Sequence, residues 1–142
     1  MISRIEYGSP EYEAEVKLRE EVLRKPLGLS FTVQTLEADR DDVHLGAFEA
    51  GVLVGCLILK ELPEKTLKMR QVAVSPLVQG RGVGKKLVLA SEQYAKKNGY
   101  LAITLAARET AIPFYQTLGY EIFGEPFTEV SLPHRMMRKQ LI

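Results

Sequence analysis

Gln79-Gly80-Arg81-Gly82-Val83-Gly84, followed by Lys85 and Lys86, is the segment of this sequence best suited to chemistry. Three glycines at alternate positions let the backbone curl until successive N–H groups converge on one point. A helix starting there adds its positive end, which makes a site for phosphate oxygens. Arg81, Lys85 and Lys86 place cations beside it. The spacing is not that of a Walker loop, because Gln79 stands where its first glycine belongs and Lys86 where Ser or Thr belongs. It is not a dinucleotide fingerprint either. Read from Gly80, the third glycine falls on Lys85; read from Gly82, it falls on Leu87. A ligand-free glycine connector needs neither alternating glycines nor the cations around them.

Charge points to the same place. The 142 residues carry 19 Lys+Arg and 18 Asp+Glu, net +1, which argues against a nucleic-acid coat or a polybasic membrane binder. Residues 1–65 are net −5, residues 66–100 net +6, and residues 101–142 balanced. One basic segment in a near-neutral chain suggests a small anionic ligand. Nucleic-acid binding through that segment would need interleaved aromatic platforms, which it lacks. With 46% hydrophobic and 26% charged residues the composition is that of a folded protein, and the length predicts one domain over 1–142. Cys56 is the single cysteine, and His44 and His134 are the only histidines, so no metal site is expected. The first residues show no apolar signal core, and no apolar run approaches the roughly 18 residues of a membrane span. The expectation is a cytoplasmic protein.

The elements that must position the loop are readable from periodicity. Ile2–Tyr7 alternates as a strand does. Ser9-Pro10 opens a helix with Tyr12, Val16, Arg19 and Leu23 on one face, closed by Pro26 and Gly28. Residues 27–42 read as loop plus a short helix. His44–Glu49 and Val52–Leu59 form a hairpin around Ala50-Gly51, with Cys56 as a small buried residue. Leu67–Val74 is the strand before the glycine loop. Val83, Leu87, Ala90 and Tyr94 form the apolar stripe of the helix after it, and Asn98-Gly99 ends that helix. Tyr100–Ala106 is a strand, Thr110 caps a helix through Leu118, and Tyr120–Phe123 is a strand. Gly124, Pro126 and Pro133 then mark a loop before a last strand, His134–Leu141. The class is mixed α/β with one parallel strand–loop–helix–strand unit at its centre.

Gln79–Gly84 resembles the Q/R-x-x-G-x-G/A signature of the GNAT superfamily of acetyl-CoA-dependent N-acetyltransferases. The segment Ala107–Tyr120 is similar to that family's A-x-x-F-Y-x-x-x-G-F/Y stretch, through Ala111, Phe114, Tyr115, Gly119 and Tyr120. The resemblance covers most of the chain and is most specific over residues 67–120. It implies a GNAT-like acyl-CoA N-acyltransferase fold: a central mixed, mostly antiparallel sheet, splayed between its fourth and fifth strands and flanked by helices.

The resemblance also implies roles for individual residues. Gln79, Gly80, Arg81, Gly82, Val83 and Gly84 would hold the CoA pyrophosphate, chiefly through backbone N–H groups, with charge from Arg81 and Lys85. Val72, Ala73 and Val74 would lie along the pantetheine arm on a bulged strand, with an oxyanion-stabilising N–H near Val72. Arg108, Ala111, Phe114 and Tyr115 would line the cofactor. Tyr115 would either protonate the departing thiolate or pack its ring on the cofactor. Many members of the family use a glutamate on the strand before the loop, or a water chain, as the base; here that strand carries no acid. His134 and Glu129 are the other base candidates, in Phe127–His134, which resembles the F-x-E-x-G-I-P-H stretch of a small bacterial subgroup, departing from it at Ser131-Leu132. His134 is either a base or a loop-fixing residue, and Glu129 would face the acceptor. Arg19 and Arg24, on a helix similar to that subgroup's arginine-bearing one, either hold an acceptor carboxylate or belong to a solvated face. The function implied is acetyl transfer from acetyl-CoA to a small-molecule or peptide amine by direct attack, in a monomer or homodimer, with neither nucleic acid nor membrane as partner. The alternative is a non-catalytic acyl-CoA-binding regulatory module.

Overall fold

Ser9 opens the first helix in the computed structural model of the chain, which describes residues 1–141. Its Oγ accepts the Tyr12 N–H at 3.1 Å, and Pro10 occupies the first helical position of α1 (Pro10–Arg19). The helix widens into a π turn over Glu20–Arg24 and tightens into a 3₁₀ turn over Lys25–Leu27, and left-handed Gly28 stops it. The buried face of α1 is Tyr12, Glu15, Leu18 and Arg19, rather than the expected Tyr12, Val16, Arg19 and Leu23. Two charged side chains go inside because they neutralise each other there. A short helix α2 (Val33–Glu37) follows, capped by Thr32.

The strands are β1 (Ile2–Ile5), β2 (Val43–Glu49), β3 (Val52–Leu62), β4 (Thr66–Val74), β5 (Ala102–Arg108), β6 (Glu121–Glu129) and β7 (Leu132–Gln140). Their order is β1-β2-β3-β4-β5-β7-β6. Pairs β1·β2, β2·β3, β5·β7 and β6·β7 are antiparallel. β4 and β5 run parallel, in register from Thr66↔Ala102 to Met69↔Leu105, with helix α3 (Val83–Lys97) in the crossover between them. The expected mixed α/β class and its central parallel unit are therefore present.

The described chain forms two compact units. The first holds Met1–Lys60 and Gln71–Ser91; the second holds Glu61–Arg70 and the chain from Glu92 onward. In the first unit, Leu18, Cys56 and Ala73 pack together with Val22, Leu23 and Leu53 at their edge. Gly55 lets α3 approach β3. A Cβ there would stand 2.9 Å from both Val83 and Leu87, so the missing side chain seats the first turn of α3.

Three further expectations differ from the structure. The buried stripe of α3 runs through Val83, Leu87, Val88, Ser91, Glu92 and Ala95, with Ala90 and Tyr94 only half-buried. Polar Ser91 and Glu92 are accepted inside because each is hydrogen-bonded. Thr110 caps nothing. It lies in a 3₁₀ turn, Glu109–Ala111, and α4 (Ile112–Thr117) starts after it with Pro113 in its first turn. Residues 124–133 are strand and hairpin rather than loop. The register of β6 against β7 shifts between Phe123 and Phe127, so Gly124 and Pro126 sit in an irregularity of an edge strand, where a proline costs no ladder bond.

Candidate functional site

The glycine loop takes shape in the first unit. Gly80 and Gly82 have φ of 82° and 79°, where a Cβ would be strained. Gly84 lies in the first turn of α3. The Gly82 carbonyl accepts the Lys86 N–H at 3.1 Å, which leaves the N–H groups of Val83, Gly84 and Lys85 without an intrahelical acceptor. Those donors and the helix dipole converge on one exposed spot. The side chain of Gln79 folds back to the Val74 carbonyl at 3.4 Å and ties the loop to the end of β4. Lys85 and Lys86 are exposed. Arg81 is exposed too, and its guanidinium pairs with Glu49 at 3.0 Å.

The strand leading into this loop is not regular. Gln71 adopts φ 54°, a left-handed residue inside an extended strand, as bulged strands use. Val72, Ala73 and Val74 follow it directly; Ala73 is buried and the two valines half-buried.

Beside Gln71 lies a buried network that sequence reading did not find. Arg19 is 1% exposed. Its Nη1 donates to Glu15 Oε2 at 3.0 Å, its Nη2 to Asp39 Oδ2 at 3.2 Å, and its Nε to Gln71 Oε1 in a long bond of 3.4 Å. His44 Nδ1 lies 2.8 Å from Glu15 Oε2, and His44 Nε2 lies 2.8 Å from the Asp39 carbonyl. A carbonyl only accepts, and an ionised carboxylate only accepts, so both ring nitrogens carry protons. Burial pushes the imidazole pKa down, but the hydrogen bond and charge of Glu15 and the bond to Asp39 outweigh it, and the net shift is upward. Two acids and two cations thus cancel. Arg24 is half-buried over the Phe31 ring at 4.6 Å, and Arg19 lies over the same ring at 4.6 Å. Arg24 has no carboxylate partner among the described residues. One signal for the network was in the sequence: Glu15 and Arg19 stand at i, i+4 on one helix. Nothing local marked Asp39, His44 or Gln71.

The second unit places Tyr115 in α4, 7% exposed, with its ring edge-on to Phe114 and to Tyr120 at 5.0 and 5.9 Å between centroids. Burial pushes its phenol up to about 12, so it stays protonated at neutral pH. Tyr120 is anchored in turn. Its hydroxyl donates to Glu92 Oε2 at 3.1 Å, and Lys139 Nζ donates to Glu92 Oε1 at 2.9 Å and to the Leu118 carbonyl at 2.8 Å. Phe114 is partly exposed and Ala111 ends the 3₁₀ turn before α4.

Arg108 closes β5, in register with His134 of β7. His134 is buried, and its Nδ1 donates to the Leu132 carbonyl at 2.9 Å. A neutral ring then carries its lone pair on Nε2, which faces exposed Glu129 at 3.5 Å. The Phe127 ring lies against His134. Arg108, Glu129 and His134 thus gather at one end of the β5·β7·β6 sheet. Cys56 sits at zero exposure, and burial first, then the charge of Glu15, holds its thiol far above the usual range. It is no nucleophile at neutral pH.

Comparison with known proteins fits this geometry. Residues 7–120 match the profile of the Acetyltransferase (GNAT) family. YjcF of Bacillus subtilis, described as an uncharacterized N-acetyltransferase, is 26% identical over 86% of this chain and 87% of its own length. YyaT of the same organism, an uncharacterized protein, is 32% identical over 54% of this chain, and the match spans 51% of its length. Among solved structures, an N-acetyltransferase-like protein from Lactobacillus plantarum superposes with a TM-score of 0.85, at 24% identity over 99% of both chains. An aminoglycoside 6'-N-acetyltransferase complexed with coenzyme A superposes with a TM-score of 0.84, at 17% identity over all of this chain and 97% of its own. At these identities the structures speak to the fold.

Proposed function

This chain belongs to the GNAT acetyltransferase family and is an acyltransferase, and from that premise we propose that it transfers the acetyl group of acetyl-CoA directly to a primary amine. The observation that carries this reading is the glycine loop. Gly80 and Gly82 are left-handed, three N–H groups stand free at the start of α3, and a left-handed Gln71 lies in the strand that leads to the loop. The loop and α3 bind the pyrophosphate. Val72–Val74 offer backbone groups to the pantetheine arm. The Val72 N–H, just past the left-handed residue, stabilises the oxygen that gains charge as the amine attacks the thioester carbon.

Attack forms the C–N bond, and the tetrahedral adduct then breaks its C–S bond. The nitrogen loses a proton and the sulfur leaves as a thiolate. With a phenol near 12 against a thiol near 8.5, Tyr115 serves better as a hydrogen-bond donor that holds the thiolate than as a full acid. The proton lost by nitrogen is the one that neutralises sulfur in the end. His134, its ring oriented by the Nδ1 bond to the Leu132 carbonyl and its Nε2 left to accept, is the base candidate, and the Glu129 carboxylate 3.5 Å from Nε2 favours the protonated ring by charge once the amine proton has been taken. Arg24 is the residue for an acceptor carboxylate, because Arg19 is already neutralised by Glu15 and Asp39.

The deciding experiment is thiol release from acetyl-CoA across a panel of amines, with acetyl-CoA affinity measured in parallel. Amine-dependent thiol release supports the reading. Tight acetyl-CoA binding with no release on any amine makes the chain a binding module instead, the outcome toward which the missing β4 carboxylate leans.

A further inference from the structure

We infer that Arg19 is a positioning residue for the acyl-transfer step: locked by Glu15 and Asp39, it holds the Gln71 side chain and thereby the left-handed backbone that aims the Val72 N–H. The inference rests on the acetyl-transfer reading above. A left-handed glutamine inside a strand is unfavourable and persists only where its surroundings over-determine it. The contact that does so is the bond from Arg19 Nε to Gln71 Oε1.

That bond has a fixed direction because the other two guanidinium nitrogens are occupied. Their acceptors are fixed as well. His44 bridges Glu15 and the Asp39 carbonyl, so Glu15, His44, Asp39 and Arg19 close a ring. All four are buried, at 0 to 4% exposure. Burying such a set adds little stability over well-packed apolar residues. What it supplies is orientation, since a planar fork held at two corners dictates where the third N–H points. A lysine would keep the charge and lose the fork.

The test uses acetyl-CoA labelled with ¹³C at the thioester carbonyl. Its infrared band is recorded bound to the wild-type protein, Arg19→Lys and Gln71→Leu, with dissociation constants and thermal midpoints for each. In the wild type the bound carbonyl band lies below its position in water, because the bulge N–H polarises it. In both variants at least half of that displacement is lost while acetyl-CoA Kd changes less than threefold, and kcat with any accepted amine falls at least tenfold. Arg19 is buried, so if Arg19→Lys does not fold, Gln71→Leu, at a half-buried position, decides alone. Wild-type band position and kcat in the variants overturn the inference, as does a wild-type band that does not move on binding. A wild-type protein that fails to bind acetyl-CoA overturns the acetyl-transfer reading itself, and this inference with it.

Discussion

Glu49 Oε1 accepts a hydrogen bond from Arg81 Nη2 at 3.0 Å, joining the arginine of the glycine loop to strand β2. Both side chains are largely in solvent, at 58% and 40% exposure, so the pair contributes about 0–1 kcal/mol and exchanges readily for an anion. Arg81→Ala is therefore expected to weaken CoA binding about five- to tenfold, and to leave binding of a phosphate-free pantetheine fragment unchanged. Glu49→Gln, which removes a competing carboxylate, tightens CoA binding about two- to threefold at low salt, with the gain fading as salt rises. Calorimetry with CoA and with pantetheine checks both; equal losses for the two ligands in Arg81→Ala would separate Arg81 from the phosphates.

Tyr115 has its phenol near 12 and its ring held by Phe114 and Tyr120. Tyr115→Phe keeps those ring contacts and deletes only the hydroxyl. The expected result is a kcat about 10²-fold lower, with acetyl-CoA Kd within threefold of wild type. With burial holding the phenol near 12, a fall in wild-type kcat just above neutrality comes from another group. Steady-state rates between pH 6 and 10 read both effects.

His44 contributes to the pH dependence of stability. Its pKa is raised in the folded protein, so the folded state holds this proton more tightly than the unfolded chain does. The stabilisation is fully present below the unfolded value of about 6.5 and is lost as pH rises through the raised folded value. Urea midpoints of the wild type should fall on going from pH 6 toward 9. His44→Gln should flatten that slope and be less stable than wild type at pH 6. An unchanged slope in the variant would remove His44 from this role.

His134 and Glu129 separate by their exposure. His134 is buried with Nδ1 committed to the Leu132 carbonyl, whereas Glu129 lies in the open. If His134 takes the amine proton, His134→Gln lowers kcat/KM about 10- to 100-fold. Glu129→Gln changes the rate less than threefold. Equal effects from the two substitutions would point to the hairpin's shape rather than to a base.

Arg24, half-buried over Phe31 and without a carboxylate partner among the described residues, predicts a preference among acceptors. Arg24→Ala should raise KM about tenfold for amines bearing a carboxylate and leave the same amines without it unaffected. Paired acceptors differing only in that group provide the measurement.

The sequence alone was sufficient for the order and type of most elements, though not for which faces of α1 and α3 are buried. The glycine loop between strand and helix, the Ser9-Pro10 helix start, the Ala50-Gly51 hairpin and the parallel β4–α3–β5 unit were legible because each is set by neighbours within a few residues. Local reading failed where a partner lay far along the chain. Gly124 and Pro126 look like loop residues until β7 pairs beside them. The burial of Glu15 and Arg19 has no local explanation, because the groups that compensate it, Asp39 and His44, arrive from 20 and 29 residues away. Gln71 carries no local mark of its left-handed backbone, and the side chain it meets, Arg19, lies 52 residues earlier. Charge is buried, and strain is held, only when groups distant in sequence converge to compensate them. That convergence is a property of the tertiary structure, and it decided that Arg19 is closed into an ion-paired network while Arg24 lies half-buried over Phe31.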